Sequence, residues 1–231
     1  MLERSNMMVL MNDRKTPEDR RMARIDGNDW PFLAETMVGL KRLDNIQTLI
    51  EDILKNNIQG DLIETGVWRG GASIFMRAVL KSHDVTDRQI WLCDSFEGLP
   101  SPNPDKYIED KGDAHQTFDI LAVSQKEVED NFHRYGLLDR QVRFVKGFFE
   151  DTLPDLDVGK LSLLRMDGDM YGSTIITLEC LYDKVQSGGY VIVDDYKLLP
   201  CRKAIDDFRE SNSIEDEIIE IDDSSVYWQK S

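Results

Sequence analysis

Short apolar runs alternate with helix-like spacing along most of the chain. The runs are four to six residues long, are apolar enough to be buried on both faces, and predict strands at 61–65, 89–94, 141–146, 161–166 and 190–193. Between several of these runs, apolar residues recur at three- and four-residue steps, which predicts amphipathic helices. Strands that alternate with helices form βαβ units, so the pattern predicts an α/β fold with a doubly wound, mainly parallel sheet.

Two helices and a terminal hairpin are the clearest of the other elements. One helix is predicted over 36–57, where leucine and isoleucine recur on a single face. A second follows the fourth strand and is expected to be closed by the pair Gly188 and Gly189. Residues 217–221 and 226–229 are joined by "DDSS" and predict an antiparallel hairpin at the end of the sheet.

The chain divides into an N-terminal arm and one domain that carries a lid. Residues 1–35 are charged and are interrupted by prolines and a glycine, which predicts an irregular or partly helical arm outside the core. Residues 36–231 are long enough for one domain with a substantial core. Residues 98–124, directly after the second strand, begin with a proline-rich stretch that lacks periodicity. This stretch predicts a lid over the edge of the sheet where ligands bind.

Composition narrows the classes of partner. The 44 acidic and 28 basic residues give a formal net charge of -16, which repels phosphate backbones and anionic lipid, so we expect neither nucleic acid nor a membrane as partner. No run of about eighteen apolar residues and no uninterrupted leader core is present, and the three cysteines fit neither a disulfide framework nor a zinc site. We therefore predict a cytoplasmic protein with a small-molecule substrate. The sequence is compatible with a homo-oligomer but does not specify one.

Two motifs at strand ends suggest a nucleoside-containing cofactor. In "ETGVWRGG", Gly66 and Gly70 allow a tight turn at the start of a helix, although such a turn can also serve packing alone. The motif lacks the spacing of dinucleotide and phosphate loops, so a ligand without a pyrophosphate fits better. Asp94 closes the second strand, where a carboxylate can accept hydrogen bonds from ribose hydroxyls. If Gly66 serves the ligand, Gly66→Val is expected to abolish cofactor binding and leave the fold largely intact.

Four aspartates follow two neighbouring strands. Asp167 and Asp169 come directly after the fourth strand, and Asp194 and Asp195 after the fifth. The carboxyl ends of parallel strands meet at one edge, where like charges would raise one another's pKa and destabilise the fold. A hard divalent cation such as Mg²⁺ removes that cost, which predicts a metal site. The alternative is that some of these aspartates, Asp169 above all, cap the helices that follow.

Longer motifs carry a family resemblance. The strings "ETMVGLKRLDNIQ", "ETGVWRGG", "DSFEGLP", "DTLP", "LRMDGDMYGST", "LYDKVQSGGYVIVDDY" and "CRKAIDDFR" closely resemble the macrocin O-methyltransferase (TylF-like) family of antibiotic biosynthesis. The resemblance runs from about Asp29 to Arg209. It implies a class I methyltransferase (Rossmann-like) sheet of seven strands, and an enzyme that uses S-adenosylmethionine (SAM) and Mg²⁺ to methylate a sugar hydroxyl of a macrolide or aminocoumarin glycoside.

The same resemblance assigns roles to individual residues. It implies a SAM site formed by Met37, Val38, Glu64, Thr65, Gly66, Gly70, Gly71, Ser73, Asp94, Ser95, Phe149 and Asp167. The metal ligands would be Asp167, Asp194 and Asp195, and Asp167 would also act as general base. Related catechol methyltransferases carry a lysine base three residues after the first ligand. Here that position is Met170, which excludes the lysine mechanism and leaves an aspartate, or His115 in the lid, as the base.

Four alternatives are kept. A metal-dependent methyltransferase of catechols or other small hydroxylated metabolites would share the strand-end acids. An aspartyl phosphotransferase also uses paired aspartates and Mg²⁺, but carries them after its first strand. A nicotinamide oxidoreductase lacks support because the fingerprint is missing. A non-catalytic acidic adaptor would need neither a glycine turn nor a metal cluster.

Overall fold

The protein was analysed as a computed structural model, which describes residues 16–29 and 33–231. A seven-stranded sheet with strand order β3-β2-β1-β4-β5-β7-β6 runs through these residues. The first five strands are parallel, and the last two pair antiparallel at one side of the sheet. The predicted class I methyltransferase sheet with a C-terminal antiparallel hairpin is therefore confirmed.

The strands are β1 (Asp61–Thr65), β2 (Ile90–Asp94), β3 (Val142–Lys146), β4 (Leu161–Met166), β5 (Val185–Val193), β6 (Ile219–Glu220) and β7 (Val226–Gln229). The α-helices within the described residues are α1 (Pro17–Asp26), α2 (Leu40–Lys55), α3 (Gly71–Ser82), α4 (Gln125–Arg134), α5 (Phe149–Thr152), α6 (Tyr171–Leu181) and α7 (Leu199–Ser211). Three short 3₁₀ turns lie between β2 and α4, and a fourth follows α6.

Helices cover both faces of the sheet, so the strands are buried on two sides. Alternate residues of one strand enter opposite layers: Leu62 packs with the layer that contains α2, α3 and α4, and Ile63 packs with the layer of α6 and α7. Successive side chains of a strand point to opposite faces, which explains why both residues are apolar and fully buried. In the sequence, this burial on both faces is visible as consecutive apolar residues without polar alternation.

The predicted C-terminal end of the second helix was wrong. Helix α6 ends at Leu181, and Gly188 and Gly189 lie inside β5, which begins at Val185. The pairing of β5 with β4 shifts register near this point, and Gly189 lies so close to β4 that a Cβ atom would be 2.9 Å from the carbonyl oxygen of Ser162. The two glycines therefore serve a strand irregularity rather than a helix stop.

The arm contains the helix α1. Thr16 and Asp19 form a capping box at its start, and Gly27 ends it in a left-handed conformation. Arg24 donates hydrogen bonds to the carbonyl oxygens of Met37, over 3.1 Å, and Val38. Much of the predicted arm, residues 1–15 and 30–32, lies outside the described residues, so the division at 35 stays a prediction. No helix in 16–29 or 33–231 has the length and apolarity to cross a membrane.

Candidate active site

One cavity of about 330 Å³ opens at the carboxyl ends of β1, β2, β4 and β5. The order of the strands reverses here: β2 and β3 lie on one side of β1, and β4 and β5 lie on the other side. Ligands of open α/β sheets bind at such a switch point, because the connecting segments diverge there and leave a crevice. The cavity lies where the sequence places both strand-end motifs.

The glycine turn after β1 brings two strand ends together. Gly66 has a φ of 87°, and a Cβ atom built on it would lie 1.6 Å from the carbonyl oxygen of Asp167. A side chain there would collide with the backbone of the β4 end, so Gly66→Val would disturb the fold itself. The expectation that this substitution spares the fold was wrong. Gly66 nevertheless lines the cavity.

Gly70 and Gly71 serve packing in the same turn. A Cβ atom on Gly70 would meet the side chain of Val128 of α4 at 2.7 Å, and one on Gly71 would lie 2.5 Å from the carbonyl oxygen of Glu35. Neither residue lines the cavity, and the same is true of Thr65 and Ser73. Any contact of these four residues with a cofactor therefore stays a prediction.

Asp94 both lines the cavity and holds the loops around it. One carboxylate oxygen accepts the N–H of Val67 and the other accepts the N–H of Phe96, each over 2.7 Å. Burial raises the pKa of Asp94, whereas these backbone hydrogen bonds oppose that effect. The backbone of Trp68 also hydrogen-bonds to this carboxylate, so of its roughly four lone-pair sites about one remains for a ribose hydroxyl. Ser95 also lines the cavity, and its hydroxyl donates to the carbonyl oxygen of Gly98 over 2.5 Å.

Three of the strand-end aspartates converge. Carboxylate oxygens of Asp167, Asp194 and Asp195 all lie within 4.8 Å of one another, and all three residues line the cavity. Asp169 also lines it, but its backbone N–H donates to Asp195 over 3.0 Å, and its φ of 56° is left-handed. Non-glycine residues in this conformation store strain and cluster at functional sites. The structure thus brings together the three residues that were expected to hold a metal.

Two arginines, which the sequence analysis missed, neutralise part of this acidity. Arg165 of β4 is 1% exposed and donates over 2.5 Å to both Glu64 and Asp194, and its guanidinium lies 3.0 Å from Asp167. Arg42 of α2 reaches the other oxygen of Asp194, also over 2.5 Å. A charged residue inside the apolar run "LSLLRM" was the available signal, since buried arginine is rare unless it is paired.

The two arginines do not balance the negative charge. Burial and the neighbouring Asp194 raise the pKa of Asp167 to about 6, and burial and Asp167 raise the pKa of Asp169 to about 7. Burial raises the pKa of Glu64 to about 7 despite Arg165. Burial and Asp169 raise the pKa of Asp195 well above its ordinary value.

The donor set fits a divalent cation. Three carboxylates with oxygens within 4.8 Å of one another are the hard oxygen ligands that Mg²⁺ accepts, and a cation would offset their excess charge. Asp194 has fewer free lone pairs for a cation than the other two aspartates, because both its carboxylate oxygens already accept hydrogen bonds from arginine.

The predicted lid is attached at several points. Asp110, 2% exposed, accepts the N–H groups of Tyr171 and Gly172 over 2.7 and 2.9 Å, and so caps the start of α6. Trp68 of the glycine turn donates through its indole nitrogen to the carbonyl oxygen of Ile120 over 2.8 Å. His115 lines the cavity, and its Nδ1 lies 2.7 Å from Asp113.

The remaining predicted site residues border the same cavity. Phe149 begins α5 and lies beside Gly168, while Met37 and Val38 approach from the segment before α2. The predicted residues that line the cavity are Met37, Val38, Glu64, Gly66, Asp94, Ser95, His115, Phe149, Asp167, Asp194 and Asp195.

Comparison with known proteins adds a decisive match to this geometry. The family model described as macrocin-O-methyltransferase (TylF) matches residues 2–230. The chain belongs to this family. The TylF-like resemblance that the sequence motifs carried is thereby confirmed, and so is the prediction of a SAM-dependent methyltransferase.

Three curated relatives of this TylF family member are named as O-methyltransferases. The chain is 53% identical over 213 residues to demethyldecarbamoylnovobiocin O-methyltransferase of Streptomyces niveus, covering 91% of this chain and 81% of that protein. It is 51% identical over 207 residues to a tetracenomycin rhamnosyl 4'-O-methyltransferase of Streptomyces olivaceus, with coverage of 89% and 79%. It is 47% identical over 212 residues to mycinamicin III 3''-O-methyltransferase of Micromonospora griseorubida, with coverage of 90% and 84%.

Solved structures agree with the fold of the family. The O-methyltransferase NovP superposes with a TM-score of 0.90 at 49% identity, covering 98% of this chain and 97% of that one. The calicheamicin methyltransferase CalS11 superposes with a TM-score of 0.68 at 18% identity and 94% coverage of both chains, which concerns the fold alone. The phosphotransferase, oxidoreductase and adaptor alternatives therefore no longer apply.

Proposed function

We propose that this enzyme methylates a sugar hydroxyl of a glycosylated natural product, using SAM and a divalent cation, with Mg²⁺ as the expected ion. One observation carries the proposal: the convergent carboxylates of Asp167, Asp194 and Asp195 share a cavity with Asp94 and the glycine turn. Methyl donor and acceptor activation can thus meet at one edge of the sheet. SAM would supply an activated methyl group, so the chain must position the acceptor and take its proton.

The acceptor class rests on the relatives. The three curated relatives act, by their names, on a novobiocin precursor, a rhamnosyl tetracenomycin and mycinamicin III. At 47–53% identity, this chain is expected to share the type of acceptor, a small-molecule glycoside. The names of these relatives differ in the compound that is methylated, and the two names that print a position give 4' and 3'', so neither the acceptor nor the position is transferred to this chain. The cytoplasmic location stays a prediction.

The cation would be held by Asp167, Asp194 and Asp195. It would supply Lewis acidity that stabilises negative charge on the acceptor oxygen, which matters because a sugar hydroxyl is barely acidic. The remaining task of the chain is to hold the carboxylates in place, and Arg165 and Arg42 do so for Asp194.

Two side chains are placed to accept the proton of the hydroxyl. Asp167 is the first, because its carboxylate lines the cavity and converges with the other two expected ligands; in the metal-free site burial and Asp194 raise its pKa to about 6. His115 is the second candidate, because Asp113 engages its Nδ1 and would leave Nε2 as the acceptor. When the methyl carbon leaves sulfur for oxygen, this proton passes to one of the two bases.

The catechol alternative lacks its base. Met170 stands where the catechol enzymes carry lysine, is 3% exposed, and precedes the first residue of α6. A thioether cannot take a proton at neutral pH, so a catechol acceptor would depend on the same aspartate or histidine. The choice of a glycoside over a catechol therefore rests on the family relatives and not on the geometry, so catechol belongs among the acceptors that are tested.

Labelled methyl transfer from SAM tests the proposal. The acceptor panel contains demethyldecarbamoylnovobiocin, the 4'-demethyl tetracenomycin rhamnoside, mycinamicin III, their analogues that lack the neighbouring hydroxyl, and catechol. Transfer to at least one glycoside, lost with EDTA and restored by Mg²⁺, is expected. A preference for catechol, or full turnover after complete removal of metal, would contradict the proposal.

A further inference from the structure

The cavity is small for both substrates of a methyltransferase. Its volume of about 330 Å³ lies at the lower end of the roughly 300–1,000 Å³ found for sites that enclose one drug-sized ligand. SAM, which joins a nucleoside to an amino acid, is such a ligand. A cavity of this size cannot also enclose a polycyclic or macrocyclic aglycone, which would have to extend beyond its mouth.

Two large exposed apolar side chains adjoin residues that line the cavity. Leu199, which is 75% exposed, begins α7 and directly follows Leu198, a lining residue whose N–H bonds to the carbonyl oxygen of Asp195 over 2.8 Å. Phe118 of the lid is 46% exposed, and its ring packs edge-on against the lining residue His115 with 5.7 Å between centroids. One side chain thus comes from the lid and the other from the segment after the acidic cluster.

Exposure of these residues is unfavourable for the free protein. Apolar side chains gain roughly 25 cal/mol for each Å² removed from water, so both would be more stable when covered. Exposed apolar groups beside a ligand cavity mark binding surfaces more often than isolated surface leucines do. The aglycone is the occupant that the size of the cavity and the position of both residues favour.

We propose that Phe118 and Leu199 form an apolar rim against which the aglycone of the substrate packs, while its sugar enters the cavity. The inference rests on the proposed function and names the part of the glycoside that the cavity cannot enclose. It predicts that the rim recognises apolar bulk rather than a hydrogen-bonding pattern. Aglycones of different chemistry would then be accepted if each presents an apolar face.

Steady-state kinetics with two acceptors isolates the rim. The first acceptor is whichever panel glycoside gives the wild-type enzyme its highest kcat/KM, and the second is the methyl glycoside of the same sugar. Leu199→Ser is expected to raise KM for the first acceptor about tenfold, which corresponds to about 1.4 kcal/mol, with kcat nearly unchanged. Kinetics with the methyl glycoside should not change, because that acceptor has no aglycone.

Phe118→Ser is the second variant and is expected to show the same pattern. Because Phe118 touches His115, unchanged turnover of the methyl glycoside also verifies that the histidine is undisturbed. Leu138→Ser is the matched control: Leu138 is 42% exposed, lies just before β3 at the opposite edge of the sheet, and does not line the cavity.

Three results would contradict the proposal that Phe118 and Leu199 form an apolar rim for the aglycone. KM for the full glycoside that stays at the wild-type value in both rim variants would mean that the aglycone binds elsewhere. An equal rise in KM for both acceptors would mean that Phe118 and Leu199 contact the sugar or support the lid, and not the aglycone. Failure of the wild-type enzyme to methylate any glycoside would remove the proposed function and the rim with it, and this result is visible before any variant is made.

Discussion

Nη2 of Arg165 lies 2.5 Å from Oδ1 of Asp194, in a place where the arginine side chain is almost completely excluded from water. The same guanidinium also binds Glu64, so one buried cation joins the end of β1 to the end of β5 across β4. A buried ion pair contributes little net stability compared with an apolar pair, but removing one partner leaves an uncompensated charge. Arg165 is therefore a structural requirement of the acidic site.

Arg165→Met is expected to lower the free energy of unfolding by about 3–5 kcal/mol, because Glu64 and Asp194 lose their buried counter-charge. Urea denaturation followed by circular dichroism measures the change. Arg143→Met is the control, since Arg143 is exposed on β3 and its substitution should cost no more than about 0.5 kcal/mol. Equal small losses in both variants would show that Arg165 is not needed to hold the carboxylates.

Divalent cation binding should depend on Asp195 more than on Asp169. Asp195→Asn replaces one of three converging carboxylates with a neutral amide, whereas Asp169→Asn keeps all three and the backbone N–H that donates to Asp195. Titration with Mn²⁺ by calorimetry in the absence of acceptor is expected to show a Kd at least tenfold higher for Asp195→Asn, equivalent to about 1.4 kcal/mol. A larger loss in Asp169→Asn would mean that the ligand set has been misassigned.

Without metal, stability should fall as the pH rises through the range from about 4 to 7. The pKa of Asp169 is raised by burial and by Asp167 from 3.8 to about 7, and burial raises the pKa of Glu64 from 4.5 to about 7. Between the unfolded and folded values the native state binds more protons than the unfolded chain, so ionisation at higher pH favours unfolding. Thermal unfolding in EDTA should show a higher Tm at pH 5.5 than at pH 7.5.

Added Mg²⁺ should reduce this pH dependence, because it binds the ionised carboxylates of the native state. Asp169→Asn should reduce it as well, since one of the titrating groups is gone. A metal-free protein whose Tm rises steadily from pH 5.5 to 7.5 would contradict the charge excess inferred for the site.

Amide exchange should distinguish the start of α6, which Asp110 caps, from the predicted lid itself. The N–H groups of Tyr171 and Gly172, which Asp110 accepts, are expected to exchange slowly even in the free enzyme. Most of 98–124 lacks regular secondary structure and should exchange fast until SAM is bound. Asp110→Ala should speed exchange at the start of α6. Equal protection of 98–124 with and without SAM would rule out a cofactor-dependent lid.

Gly66→Ala should destabilise the protein as well as weaken SAM binding. The Cβ atom would lie 1.6 Å from a backbone oxygen of Asp167, and the φ of 87° adds strain for any L side chain. Gly136→Ala is the matched control, because Gly136 also has a positive φ, of 63°, but its Cβ would meet nothing within 4 Å. Denaturation of both variants separates the effect of the clash from that of the backbone strain. Equal losses of unfolding free energy would mean that the clash does not contribute.

Sequence periodicity predicted the parallel strands and the meeting of the aspartates because both depend on local pattern. β1, β4 and β7 begin and end where the apolar runs do, and Asp167 and Asp194 each follow such a run directly. Parallel strands place their carboxyl ends at one edge, so the proximity of the aspartates required only that the consecutive strands β4 and β5 be neighbours, as consecutive strands often are.

Other features depend on partners that spacing does not reveal. Arg42 reaches Asp194 from a helix 152 positions earlier in the chain, and nothing in its local sequence distinguishes it from a solvated arginine. The attachment of Asp110 to α6 is hidden in an aperiodic segment for the same reason. Gly188 and Gly189 were misread because a glycine pair after a helical pattern resembles a helix stop, whereas the cause is a shifted register in the sheet.

The turn between β6 and β7 has a consequence for the order in which the site can form. Ser225 donates to the carbonyl oxygen of Asp194 over 2.7 Å, and Asp222 binds Arg42, a contact that spans 180 positions. On the ribosome, α2 and the strands β1 to β5 emerge before these partners exist. Closing so long a loop is slow, and the Asp222–Arg42 contact cannot stabilise the native state until the loop has closed. A nascent chain halted before the β6–β7 turn would therefore carry the metal ligands but hold them without this support.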